Sequence, residues 1–215
     1  LLELLRHAGA EPRFTACVAS SVVPGFDPLL REAVQRYLGC PLWMVPQDMP
    51  IPLQNHYERP QEVGADRLVG AYEARRLHPG PESLIVVDFG TATNIDVVDE
   101  RGAYRGGAIS PGLMLSANAL FSKAAKLASI PVIAPGRALG DTTETAMQSG
   151  LVIGAAAQAE GLVSRIKAEL GCPDATVVGT GGLARTVSAA TDLFDAIDPD
   201  LTLRGIREIW LRQAK

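Results

Sequence analysis

The stretch that most limits what this chain can become spans residues 84–112, LIVVDFGTATNIDVVDERGAYRGGAISPG. It opens with four apolar residues, a short run that reads as a buried strand. An acid, Asp88, follows, with Gly90, Thr91 and Thr93 close behind it. A second β-rich run covers 94–98, residues 99–102 read as a tight turn, and Gly106, Gly107, Pro111 and Gly112 punctuate the return. A carboxylate at the end of a buried strand is costly unless it meets a cation or hydrogen-bond donors. A glycine beside it lets backbone N–H groups approach an anion, and two threonine hydroxyls add donors. The stretch suits a metal ion and a nucleotide's phosphates. Its residues alone leave open an ordinary hairpin with a polar turn.

The flanking sequence alternates strand and helix signals, so the expected class is α/β. Strands are expected at 14–19, 42–45, 175–178 and 193–197, and helices at 27–38, from 65, at 113–127, from 143 to 170, and after Asp200 or Thr202. A further helical pattern at 1–8 ends at Gly9, and the absence of an initiator methionine reads as a start partway through a protein. The expected inner faces are Ala65, Leu68, Val69, Tyr72 and Arg76-Leu77 on one helix, and Ala159, Leu162, Val163, Ile166 and Leu170 on another. On the last helix they are Leu203, Ile206 and Trp210. Gly150, Gly154 and the alanines at 155–157 leave one side of the long helix nearly bare, open to close approach by another backbone.

Composition removes several function classes. A net charge of −4 offers no footprint for nucleic acid or an anionic membrane. No apolar run reaches the length of a membrane span, and nothing reads as a signal peptide. Cys17, Cys40 and Cys172 lack metal-ligand spacing, and an odd number of cysteines suits a reducing cytoplasm. No P-loop occurs. Gly179-x-Gly181-x-x-Ala184 fits a loose dinucleotide fingerprint, but too little chain follows it to complete that kind of domain. Lys123 and Lys126 read as solvated surface. Asp66 falls in a first helical turn, where an acid complements the helix dipole; the sharper reading is a general base, with Arg67 beside it as an anion binder.

Tyr57-Glu58-Arg59-Pro60, Gly64-Ala65-Asp66-Arg67, Asp88-Phe89-Gly90-Thr91-Ala92-Thr93, the run Gly106-Gly107-Ala108-Ile109-Ser110-Pro111-Gly112, and Thr180-Gly181-Gly182 stand in order along the chain. Together they resemble the type III pantothenate kinases, from about residue 1 to residue 210. The resemblance implies an actin-like fold of two ribonuclease-H-like halves, here 1–82 and 83–215, with ATP between them and the first half lacking its N-terminal part. It implies phosphorylation of pantothenate to 4'-phosphopantothenate, the first step of coenzyme A synthesis, in the cytoplasm. It implies Asp66 as catalytic base, with Tyr57, Gly64, Ala65, Asp66 and Arg67 lining the pantothenate site. Thr91 is implied as an ATP contact and Asp88 as ligand of a monovalent cation, potassium or ammonium, alongside Mg²⁺ on the phosphates. Thr143 is implied to reach pantothenate from the partner subunit of a homodimer. The family's leading Asp-x-Gly-Asn-Thr loop is not found, and Asn94 and Thr142 replace a usual threonine and asparagine. Little turnover is therefore expected from these 215 residues alone, and the alternative is a non-catalytic regulator of the same fold that binds pantothenate or nucleotide.

Overall fold

The computed structural model describes residues 14–123 and 128–213. The helix expected at 1–8, Lys126 and the end of the 113–127 helix lie outside them. Strand β1 (Cys17–Ser20) pairs in parallel with β2 (Leu42–Val45), joined by helix α1 (Asp27–Leu38). Gly39, at φ 66°, ends α1 and donates its N–H to the Gln35 carbonyl. Glycine takes this left-handed conformation at little cost.

The larger sheet contains β3 (Gln54–Asn55), β4 (Leu84–Phe89), β5 (Ala92–Val98), β6 (Ala103–Pro111), β7 (Thr176–Thr180) and β8 (Ala196–Ile197). Its order is β3-β6-β5-β4-β7-β8, with β4, β5 and β6 an antiparallel meander and β7 and β8 running parallel to β4. Three consecutive strands followed by two on the far side of the first form the ribonuclease-H-like arrangement that the resemblance implied. The turn after β5 closes as expected, with Gly102 donating to the Asp99 carbonyl. Further along, Val97 faces Gly106 but Val98 faces Tyr104, so Arg105 is an extra residue on β6. Gly106 takes φ 109° to accommodate this bulge.

Period-2 alternation assigns the two faces of this sheet. Ile85, Val87, Phe89, Ile95, Val97 and Val177 face the long helix at 143–170. Leu84, Val86, Val98, Tyr104 and Val178 face helix α2 (Ala65–Leu77). Helix α3 (Leu113–Lys123) follows β6, and Lys123 is exposed as expected. The long helix is one continuous stretch with a π turn inside it. It comprises α4 (Thr143–Gln148), a π segment at Ser149–Ile153 and α5 (Gly154–Leu170). Thr142 caps it by accepting the Thr145 N–H at 3.1 Å. A short helix α6 (Ala184–Ser188) follows β7, and α7 (Leu201–Gln213) ends the described chain.

The apolar residues of three expected faces hold except for one on each: Leu77 is 40% exposed, Leu170 48% and Leu203 67%. The buried line of α7 is Leu201, Gly205 and Ile209, because Gly205 lies against Val69 on α2. The expected division at 82/83 falls in a turn, yet β3 and α2, which precede it, are built onto the larger sheet. Among the described residues no helix is long and apolar enough to cross a membrane.

Candidate active site

The same alternation that buries Leu84, Val86, Val98 and Val178 puts Asp88, Asn94, Asp96 and Thr180 on the α2 face, nearer its other end. Asp88 is paired in register with Asn94 on one side and Thr180 on the other. One sheet face is thus apolar at one end and acidic at the other, and the N-terminus of α2 supplies further charge there through Asp66 and Arg67.

Asp66 sits in the first turn of α2 with its Oδ1 accepting the Arg67 backbone N–H at 2.9 Å. A Cβ on Gly64, the residue before the helix, would stand 2.5 Å from that same Oδ1 and push the Asp66 carboxylate out of this position. Ala65 is buried beneath the turn and Asp66 is exposed. The four-residue motif therefore has a physical order: space, packing, an open carboxylate, and a cation that reaches inward.

That cation does not present a free fork. Arg67 Nε donates to Asp96 Oδ1 at 2.9 Å and its Nη2 lies 2.6 Å from the same oxygen. The Tyr104 hydroxyl donates to it as well, at 2.7 Å. Arg67 also lies over the Tyr104 ring, 5.9 Å from its centroid. Burial works against the Arg67 charge, but the Asp96 carboxylate more than offsets it, and the net shift is upward. Burial pushes the Asp96 carboxyl up while Arg67 and Tyr104 pull it back. Burial and Asp96 together raise Tyr104 far above the usual phenol range, so it stays a donor. Removing one partner of so buried a pair costs about 3–5 kcal/mol.

Asp88 belongs to the same electrostatic cluster. Burial first, then the charges of Asp66 and Asp96, push its carboxyl up to about 6. The Gly181 backbone, at φ 91°, lies against Asp88 Oδ1 and the Phe89 carbonyl, leaving no room for a side chain. Thr91 is exposed at the β4–β5 turn, and Gly112 donates to its carbonyl at 3.2 Å. The oxygens here, the Asp88 carboxylate and the neighbouring backbone carbonyls, are the hard donors that alkali and alkaline-earth cations take. Among the described residues no group of three His, Cys, Asp or Glu is placed to hold a metal ion by side chains alone.

Tyr57 lies half-buried beside this cluster, its ring 6.3 Å from that of Tyr104 and packed on Gly106. Tyr57, Gly64, Ala65, Asp66, Arg67 and Asp88 thus occupy one region, with Thr91 at the neighbouring turn. Thr143 stands apart. It lines a different hollow with Leu120, Ala146, Met147, Gly150 and Leu151. Sequence reasoning passed over Asp96 and Tyr104, although an acid inside the run Asn94 to Val98 is a signal of a buried, partnered charge.

The match to known proteins extends well past these motifs. The model of the type III pantothenate kinase family matches residues 1–165. The type III pantothenate kinase of Nitratidesulfovibrio vulgaris (strain Miyazaki F) is 52% identical over 99% of this chain and 82% of its own length. That of Lawsonia intracellularis is 42% identical over 98% of this chain and 80% of its own. Among solved structures, a Campylobacter jejuni protein assigned to the Baf family of transcriptional activators superposes with a TM-score of 0.67. It is 18% identical, over 97% of this chain and 88% of its own, a likeness of fold alone. Sequence identity of this degree along nearly the whole chain settles its descent: it belongs to the type III pantothenate kinase family.

Proposed function

We propose that the protein to which this chain belongs transfers the γ-phosphoryl group of ATP to the primary hydroxyl of pantothenate, yielding ADP and 4'-phosphopantothenate at the entry to coenzyme A synthesis in the cytoplasm. What supports the assignment of roles is a cluster of charges at the N-terminal end of α2, in which Asp66 and Asp96 act on Asp88, and Arg67 and Asp66 act on Asp96. Such a cluster suits in-line phosphoryl transfer, which asks chiefly for positioning, charge neutralisation and a group to take the hydroxyl proton. Mg²⁺ on the phosphates and a potassium or ammonium ion at Asp88 would supply the neutralisation.

The residues of the chain do the rest. The Asp66 carboxylate is exposed and accepts the proton as the pantothenate oxygen bonds to Pγ and the bond from Pγ to the bridging oxygen breaks. Arg67 offers its Nη1 edge to the pantothenate carboxylate, since its Nε edge is held by Asp96. Gly64 leaves room beside Asp66, Ala65 packs beneath the turn that carries it, Tyr57 walls the approach, and the β4–β5 turn with Thr91 faces the nucleotide. The proposal includes a homodimer in which Thr143 completes the partner's pantothenate site. Support comes from its exposure away from the acid cluster, and from exposed Ile109, Met114 and Leu115 where β6 meets α3.

The test is Asp66→Asn in the full-length protein. Loss of a positioned base lowers kcat by about 10²–10⁴, while the melting temperature holds. Normal turnover in this variant would remove Asp66 from the role.

A further inference from the structure

We propose that Asp96, steadied by Tyr104, is the positioning residue that makes Arg67 a reader of the substrate carboxylate. This rests on the reading of Arg67 as the group that meets pantothenate. Three acids, Asp66, Asp88 and Asp96, stand at this end of the sheet face, and Arg67 pairs with Asp96. Asp96 is the most buried of them, 2% exposed, and lies in mid-strand between β4 and β6, where its backbone is fixed by pairing on both sides. The Nε and Nη2 contacts hold the plane of the guanidinium as well as its charge. The Tyr104 hydroxyl on the same oxygen prevents the carboxylate from turning away. What remains to a ligand is the edge formed by Nη1, which has no hydrogen-bond partner among the described residues.

A merely structural ion pair and a positioning pair differ in what their loss does to selectivity. The experiment compares the binding of pantothenate with that of its analogue bearing a primary alcohol in place of the carboxylate. It uses titration calorimetry on the wild-type protein and on Arg67→Ala, Asp96→Asn and Tyr104→Phe. In the wild type pantothenate binds more tightly, and Arg67→Ala erases that preference. Asp96→Asn raises the Kd for pantothenate about tenfold, with that for the alcohol within about twofold; Tyr104→Phe moves it the same way by about threefold. If Asp96→Asn weakens both ligands alike, or neither, while Arg67→Ala still erases the preference, the positioning role is overturned and the carboxylate reading stands. If Arg67→Ala keeps the preference, the carboxylate reading itself is wrong. Should Asp96→Asn not fold, Tyr104→Phe decides, and an unchanged preference there overturns the proposal.

Discussion

At the scale of single residues, the cluster at the N-terminus of α2 is built from acids that each have a different reason to be there. Asp96 is deep and answered by Arg67; Asp66 is open; Asp88 is half-buried with no basic partner among the described residues, and so leans toward its protonated form. The sign follows directly. A carboxyl whose folded-state pKa is about 6 favours folding most fully below its ordinary value near 4, and that contribution fades as pH rises through 6. A cation beside Asp88 reverses this, because it favours the charged form. Potassium should therefore raise the melting temperature more at pH 8 than at pH 5, relative to equal tetramethylammonium chloride, and Asp88→Asn should flatten the difference. A potassium effect of the same size and pH dependence in Asp88→Asn would place the ion elsewhere.

At the scale of elements, α2 is positioned as much by an absence as by its side chains. A Cβ on Gly205 of α7 would stand 2.7 Å from Val69 Cγ1 and 2.8 Å from the Val69 carbonyl, and backbone cannot step aside cheaply. Gly205→Ala should therefore cost about 1–3 kcal/mol and lower the melting temperature by roughly 3–10 °C. Gly161→Ala, at a helical position with nothing within 4 Å, should instead stabilise by up to about 1 kcal/mol. Equal melting temperatures for the two variants would show that α2 and α7 are not packed this way. The same glycine explains where periodicity misled. Ile206 and Trp210 do pack inward, on the cluster around Val69 and Ile209, but Leu203 is exposed, because close helix contact makes Gly205 the centre of the face. On α2 the buried line includes Gly70, Ala71 and Glu73, the last fully buried and bonded twice by Arg76 at 2.7 Å, so apolar spacing could not find it. β3 was hidden because Gln54 and Asn55 carry no strand pattern and borrow their pairing from β6. By contrast α1, β2 and the β4–β5 hairpin were legible, since their periods and stop signals are local. In the site, Asp66 and Asp88 announce themselves by their glycine neighbours. Asp96 and Tyr104 do not, because their partnership joins strands eight residues apart to a helix on the same sheet face.

At the scale of the whole molecule, the question is whether one chain holds a complete site. Thr143 opens the long helix and lines a hollow against α3, separate from the residues around Asp66 and Asp88. If it serves pantothenate, it serves a site other than its own, and the proposed homodimer gives it one. Complementation separates the cases. Asp66→Asn and Thr143→Ala homodimers should each be impaired at pantothenate concentrations below KM. Random pairing on co-expression makes half of the dimers mixed, and in each of these one site carries both lesions while the other carries neither. Activity should then recover to about a quarter of wild type. If Thr143 instead acted within its own chain, every site would carry one lesion, and the mixture would do no better than the average of its parents. That second result would return the hollow beside α3 to ordinary surface and leave the acid cluster to bind its substrate alone.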